Sequence, residues 1–133
     1  MSGHDGVAAW HGYMAGGDPQ ALKAMLADDA VFHSPVVHTP QQGRDKVFAY
    51  LHAAAHVFGE GSFAYVRELV DGNQAMLEFV AELDGIQING VDIIAWDDQG
   101  KIKDFKVMVR PLKAINLIWQ KMAAMLEAQA AKG

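Results

Sequence analysis

The sequence predicts an α+β fold in which helices pack against one face of a curved antiparallel sheet. Three observations carry this prediction: helical spacing of apolar residues at the start, a run of alternating segments separated by turns in the second half, and helical spacing again at the end. The chain has 133 residues, which is enough for one hydrophobic core. We therefore expect a single domain over residues 1–133.

The helices are indicated by apolar residues that recur every three or four positions. We expect helices over about 4–15, from Pro19 to about residue 26, over about 44–58, and from Pro111 onward. The apolar residues of the four helices are, in order, Val7, Trp10 and Met14; Leu22, Met25 and Leu26; Val47, Leu51, Ala54 and Phe58; and Leu112, Ile115, Ile118, Trp119, Met122 and Met125. Each helix should bury its apolar side against the sheet.

The strands are indicated by alternation and by the turn sequences between them. A short β-rich segment covers 30–34, after the second helix. Later strands are predicted over about 63–70, 74–83, 88–96 and 101–109. The turn sequences are Asp71-Gly72-Asn73, Asp84-Gly85 and Asp97-Asp98-Gln99-Gly100. This spacing predicts a meander of antiparallel hairpins.

Composition excludes several kinds of site and partner. The chain has no cysteine, which excludes disulfides, thiol nucleophiles and cysteine-based metal sites. A net charge of −5 gives no electrostatic reason to bind nucleic acid. No apolar run exceeds five residues and no secretion signal is visible, so we expect no membrane span and a cytoplasmic location. No cofactor motif is present, and we expect no cofactor.

The segment from residue 18 to residue 32 resembles the opening of the nuclear transport factor 2-like superfamily. That group includes SnoaL-like polyketide cyclases, ketosteroid isomerases and limonene epoxide hydrolases. Further matching segments are, in order, Ser34-Pro35, Gly43-Arg44, Val91-Asp92-Ile93-Ile94 and Asp98-Gln99-Gly100-Lys101-Ile102. The resemblance covers about residues 7–110. It implies a cone-shaped fold, a pocket between the sheet and the helices, and a homodimer formed through the convex face of the sheet.

The resemblance also places the chemistry of the family on this chain. In the isomerases, a tyrosine on the first helix and an acid in the sheet hold an oxyanion, and an aspartate ending the first strand moves the proton. These positions hold Trp10, Asp92 and Ser34 here. Serine is not a base near neutral pH and indole donates only from nitrogen, so that mechanism is incomplete. The arginine and second aspartate of the epoxide hydrolases correspond to Gly90 and Val107, so their mechanism is incomplete as well.

Asp92 is the strongest catalytic candidate, with Ser34 as its helper. It interrupts an apolar strand, and if it faces the pocket then Gly90, Ile94 and Trp96 face it too. A carboxyl group in such a pocket should have a raised pKa, which lets it donate a hydrogen bond or move a proton. A structural aspartate hydrogen-bonded to a buried partner fits the same pattern.

The predicted pocket is mostly apolar. The residues expected to line it are Trp10, Tyr13, Phe32, Leu51, Ile94, Phe105 and Val107. For Trp10, an ordinary core aromatic residue on an amphipathic helix is the favoured interpretation, because the spacing is that of a helix core. For Tyr13, packing at the rim is the favoured interpretation.

The histidines carry weaker signals. His33 neighbours Ser34 on one strand and should point to the opposite face, away from the pocket. His52 and His56 have the spacing of metal ligands on a helix, but they lie away from its apolar side. No third ligand is evident, which favours solvated or interface histidines. We expect no metal site.

Two functions follow from these observations. The first is a protein that binds a small apolar metabolite in an apolar pocket; if it is an enzyme, it acts through Asp92 as a cofactor-independent isomerase, lyase or hydrolase. The alternative is a non-catalytic dimeric binding or assembly module. The last helix either closes over the pocket or packs as core or dimer contact, and packing is the favoured interpretation.

Overall fold

Four helices and six strands lie along residues 3–132, the part of the chain that a computed structural model describes. The helices are α1 (Gly3–Gly16), α2 (Pro19–Ala24), α3 (Arg44–Gly59) and α4 (Leu112–Lys132). The strands are β1 (Leu26–His33), β2 (Gln41–Gln42), β3 (Ser62–Asp71), β4 (Gln74–Leu83), β5 (Ile86–Trp96) and β6 (Ile102–Arg110). None of the helices in this range is both long enough and apolar enough to cross a membrane.

The strands form one sheet in the order β2-β1-β6-β5-β4-β3. All neighbours are antiparallel except β1 and β6, which run parallel. The chain crosses from β1 to the far edge through α3, and the meander then returns β6 to the side of β1. The predicted α+β fold with a curved sheet is confirmed, and this parallel pair is the one departure from an antiparallel arrangement.

The pairing slips at three places, and these irregularities favour curvature. They lie between Leu26 and Val31 of β1, between Tyr65 and Arg67 of β3, and between Ala95 and Trp96 of β5. Bulges increase local twist and bend the strand that carries them. The sheet is curved and unclosed, and the helices cover its concave face.

The second helix is shorter than its apolar spacing suggests. Asp18 caps it by accepting the backbone N–H of Gln20 at 3.0 Å. However, Leu26 belongs to β1, where it pairs with Ile102. The backbone carbonyl of Met25 accepts the N–H of Ile102 at 2.8 Å, so the sheet takes over where the helix ends.

Close contact between α1 and the sheet depends on a glycine. A Cβ atom on Gly6 would collide with the ring of Trp96. Val7 and Trp10 of the same helix are buried in the core over the sheet. The missing side chain at Gly6 therefore lets the helix lie close to the sheet, which brings Trp10 to the cavity described below.

The last helix buries a narrower stripe than expected. Ala114, Ile118 and Met122 are buried against residues of α3 and the sheet. Leu112 and Trp119 are exposed, at 71% and 59%. The prediction that these two lie on the buried side is wrong, because only residues four apart stay in line along the contact with α3.

The convex face of the sheet carries apolar side chains. Large apolar residues exposed on this face are Leu69, Met76, Val80 and Met108. They come from β3, β4 and β6, and no helix of the described residues covers them. Single exposed apolar residues are ordinary, but a group on one face of a sheet is a recognised mark of an interaction surface.

Candidate functional site

A cavity of about 60 Å³ lies between the concave face of the sheet and the helices α1, α3 and α4. Its wall is mainly aromatic and aliphatic. The titratable side chains in this wall are Tyr65 and Asp92, within the described residues. Ser34 adds a hydroxyl group, although its Oγ accepts the backbone N–H of Val36 at 3.1 Å and so also holds the turn after β1.

The structure brings most of the predicted site residues together. Those that line the cavity are Trp10, Phe32, Ser34, Leu51, Asp92, Phe105 and Val107. Five of the six strands, all but β2, contribute lining residues from their concave face. In register, Asp92 pairs with Val107, and Phe32 pairs with Phe105. Alternation along the strands therefore placed these side chains correctly.

Two predicted lining residues lie elsewhere. Ile94 shares the face of Asp92, as expected, but it is fully buried in the core beneath α1 and does not reach the cavity. Tyr13 is also buried, and it lines a groove next to the cavity instead. Strand parity and helix spacing identify the face of a residue but not how far along the element the cavity extends.

Three side chains form a hydrogen-bonded chain at the cavity wall. The Nε1–H of Trp10 donates to the hydroxyl of Tyr65 at 2.9 Å. The hydroxyl of Tyr65 donates to Oδ2 of Asp92 at 2.6 Å. The three groups come from α1, β3 and β5, so the tertiary fold alone assembles them. This chain orients the carboxyl group of Asp92 against an otherwise apolar wall.

Burial controls the protonation of Asp92. Removal of the carboxyl group from water raises the pKa of Asp92 to about 7, and the hydrogen bond from Tyr65 opposes that rise. Burial also raises the pKa of Tyr65, and the nearby charge of Asp92 raises it further. At neutral pH Tyr65 is therefore a protonated donor, while Asp92 exists in both protonation states.

Tyr65 is the functional candidate that sequence reasoning missed. It lies on β3 and pairs with Phe79 of β4, so a whole strand separates it from β5 and Asp92. Only its long side chain reaches across. The alternation of Phe63 and Tyr65 places both on one face of β3, and that was the available signal.

The absence of a side chain at Gly90 leaves room for the ring of Phe79 in the cavity wall. A Cβ atom at Gly90 would collide with the ring of Phe79, which lines the cavity. The position that matches the hydrolase arginine therefore has no room for a side chain in this fold.

The histidines lie outside the cavity. His33 faces away from it, and its Nε2 lies 2.9 Å from Oδ1 of Asp104. His52 and His56 line the neighbouring groove. Within residues 3–132, no group of three His, Asp or Glu side chains is arranged to hold a metal ion.

Comparison with known proteins agrees with the fold. The family described as the SnoaL-like domain matches residues 7–105. A steroid delta-isomerase from Pseudomonas aeruginosa is 37% identical over 97% of this chain and 94% of its own, with a TM-score of 0.90. A protein with a cystatin-like fold from Silicibacter pomeroyi is 32% identical over 97% and 92%, with a TM-score of 0.85.

A third structure, an NTF2-like protein of unknown function from Mesorhizobium loti, is 20% identical over 82% of this chain and 91% of its own, with a TM-score of 0.73. At that identity the likeness shows the fold alone. No curated protein matches the chain significantly. The superfamily resemblance seen in the sequence is confirmed.

Proposed function

Because this chain belongs to the SnoaL-like domain family, we propose that it is an isomerase that moves a carbon–carbon double bond next to the carbonyl group of an apolar ketone. The observation that carries the proposal is the pair of hydrogen bonds that links Trp10 to Tyr65 and Tyr65 to Asp92 in the wall of an apolar cavity. A 37% identical protein that bears the name steroid delta-isomerase supports this reaction class.

Asp92 is the proton carrier in this proposal. As a carboxylate it takes a proton from the carbon between the carbonyl group and the double bond, and it then returns that proton to the far carbon of the double bond. The same group takes and returns the proton, so the reaction needs no cofactor and no second base. A pKa near 7 suits this role, because catalytic bases work best when their pKa lies near the working pH.

Tyr65 stabilises the charge that the proton transfer creates. When Asp92 gains a proton, its negative charge moves to the oxygen of the ketone, which becomes an enolate. The hydroxyl of Tyr65 then no longer has a carboxylate to bind and can donate to the enolate oxygen. Trp10 holds Tyr65 in place, while Ser34, Phe32, Leu51, Phe105 and Val107 form the wall against which the ketone packs.

The direct test is conversion of a β,γ-unsaturated ketone to its conjugated isomer, followed by ultraviolet absorbance. We would use cyclohex-3-en-1-one as a compact substrate and 5-androstene-3,17-dione as a large one. Asp92→Asn should lower kcat by about 100-fold or more. Tyr65→Phe should lower it by about 10- to 1,000-fold. His33→Gln, a control on the opposite face of β1, should leave kcat unchanged.

The pH dependence of kcat/KM shows whether Asp92 acts as a base or as an acid. If Asp92 is the base, kcat/KM rises with pH through about 7, because only the carboxylate accepts a proton. In Tyr65→Phe the midpoint should move to higher pH, since the hydrogen bond that lowers the pKa of Asp92 is lost. A rate that falls through pH 7 would identify Asp92 as an acid and contradict the mechanism.

The size of the cavity favours a second candidate, a non-catalytic binding module. Its 60 Å³ is well below the roughly 300–1,000 Å³ of ordinary ligand pockets. In that case no β,γ-unsaturated ketone is turned over or raises the melting temperature. Turnover that depends on Asp92 excludes this candidate.

A further inference from the structure

The cavity separates two groups of core residues, one beneath α1 and one beneath α4. Trp10 and Phe105 belong to the first group, and their ring centroids lie 5.0 Å apart. Ile118 and Met122 of α4 belong to the second group. These four side chains all line the cavity. Since Trp10 donates its hydrogen bond to Tyr65, the reacting groups are tied to the first group, and α4 borders the cavity from the side of the second.

The aromatic part of the cavity wall is held by its own ring contacts. Phe63 lies against Phe79 with centroids 5.0 Å apart, and Phe58 contacts Phe63 at 5.4 Å and Phe79 at 5.5 Å. Tyr65 packs edge-on against Phe63 at 5.0 Å. These separations lie within the range that favours aromatic pairs. A ligand therefore meets a wall here whose rings restrain one another.

The part of the wall that α4 supplies is aliphatic. Ile118 is 4% exposed and Met122 is 9% exposed, so both side chains pack inward. Ala54 of α3 packs against the same core group and also lines the cavity, but its side chain is small. Methionine has an unbranched side chain that fills irregular gaps. Ile118 and Met122 therefore reduce the space in the cavity, and shorter side chains at these positions should enlarge it.

The space that these walls leave is small. The cavity has a volume of about 60 Å³. An internal water needs about 10–15 Å³ of cavity, so this space corresponds to about four to six waters. In liquid water that number of molecules occupies about 120–180 Å³. A ketone with a single six-membered ring takes up a similar volume in its own liquid, whereas a steroid is much larger.

We infer that Ile118 and Met122 set the upper size limit of the substrate, and that the substrate is a ketone with no more than one small ring. The inference rests on the proposed function, which places the carbonyl group at Tyr65 and Asp92. It narrows the substrate of that reaction from apolar ketones in general to compact ones, and it assigns the limit to α4. The wild-type protein should therefore not convert 5-androstene-3,17-dione.

The limit acts on the ring carbon that lies opposite the carbonyl group. A ring whose oxygen is bound by Tyr65 directs this carbon away from Tyr65 and toward α4, where an alkyl group meets Ile118 and Met122. Methylene groups forced into a packed space strain it and weaken binding, whereas the same groups in free space strengthen binding through the hydrophobic effect. The direction in which an alkyl group changes affinity therefore shows whether α4 limits the ligand.

Two phenols, used as competitive inhibitors of the conversion of cyclohex-3-en-1-one, measure this direction. In each, the phenolic hydroxyl stands for the enol oxygen of the reacting ketone. Phenol has the ring alone, while 4-propylphenol carries a propyl group opposite the hydroxyl. We expect the wild-type protein to bind 4-propylphenol about tenfold more weakly than phenol, or weaker still. A site without the limit would bind 4-propylphenol about tenfold more tightly.

Variants of α4 test the assignment of the limit. Met122→Ala makes room for the propyl group and should reverse the order, so that 4-propylphenol binds about tenfold more tightly than phenol. Ile118→Val removes one methyl group at a small cost in stability and should reduce the preference for phenol. It decides the test if Met122→Ala does not fold. Met125→Ala is the matched control, because Met125 packs against the same core group without lining the cavity, and it should keep the wild-type order.

The outcomes separate this inference from the proposed function. If the wild-type protein converts cyclohex-3-en-1-one but binds 4-propylphenol as tightly as phenol, or also converts 5-androstene-3,17-dione, the size limit alone is wrong. An unchanged order in Met122→Ala and Ile118→Val overturns the assignment to α4, as does an equal shift in Met125→Ala. If the wild-type protein does not convert cyclohex-3-en-1-one, the proposed function is wrong, and this inference is wrong with it.

Discussion

Asp92 is a buried carboxyl group with no cation beside it among the described residues. Its hydrogen-bond partner is the neutral hydroxyl of Tyr65, at 2.6 Å. A buried charge without an ion pair is costly, so the folded protein favours the protonated acid. Ionisation of Asp92, the group that carries the proposed chemistry, is therefore expected to lower the free energy of unfolding near neutral pH.

The first prediction concerns stability against pH. The pKa of Asp92 is about 7 in the folded protein and has an ordinary value of 3.8. Between these values the unfolded chain releases a proton that the folded protein retains, so this contribution to stability is complete below about pH 4 and is lost as pH rises to 7. Asp92→Asn cannot ionise and still accepts a hydrogen bond from Tyr65. The free energy of unfolding of this variant should exceed that of the wild-type protein by about 2–4 kcal/mol at pH 8.

Urea unfolding at pH 4 and pH 8 measures this difference. The excess free energy of unfolding of Asp92→Asn over the wild-type protein should be large at pH 8 and small at pH 4. Asp98→Asn, a change at an exposed aspartate in a turn, should show no such dependence on pH. An advantage of equal size at both pH values would contradict burial as the cause of the raised pKa.

At the scale of single elements, α4 is both part of the core and part of the cavity wall. Ile118 and Met122 pack in the core cluster with α3 and the sheet, and both also line the cavity. The two interpretations of this helix, packing and closure over the pocket, therefore describe the same side chains. Removal of residues 112–133 is expected to disturb folding and the cavity together.

The second prediction separates the two sides of α4. Ile118→Ala should lower the free energy of unfolding by about 2–4 kcal/mol, because it leaves a gap in a packed region. Trp119→Ala, one residue further on an exposed surface, should change it by less than about 0.5 kcal/mol. Chemical denaturation of both variants measures the contrast. Similar losses in both would show that Trp119 is buried in solution.

At the scale of the whole molecule, the convex face of the sheet is the surface that points to assembly. Leu69, Met76, Val80 and Met108 lie exposed on it, at 41–59%. A sheet that has helices on one face and apolar residues on the other buries the second face when two copies meet. We propose that the protein is a homodimer through this face.

The third prediction tests that proposal. Met108→Glu places a charge within the exposed apolar group, at its β6 end, so it should convert the dimer to a monomer. Light scattering after size-exclusion chromatography gives the mass of each species. Leu112→Glu, at an exposed apolar residue of α4, is the matched control and should stay dimeric. A monomeric wild-type protein at micromolar concentration would contradict the proposal.

The sequence by itself determined the elements and the faces of their residues. Helical spacing located α1, α3 and α4, turn sequences located the hairpins, and alternation put Asp92, Phe105 and Val107 on the concave face. These features follow from the fixed periods of helices and strands, which a local pattern reveals.

Only the tertiary structure decided which side chains meet. Tyr65 reaches Asp92 across an intervening strand, Ile94 lies beneath α1 rather than at the cavity, and Trp119 points to solvent. The size of the cavity depends on where the helices cross the sheet. Local periodicity gives the direction of a side chain, but crossing positions and sheet curvature arise from packing between distant segments.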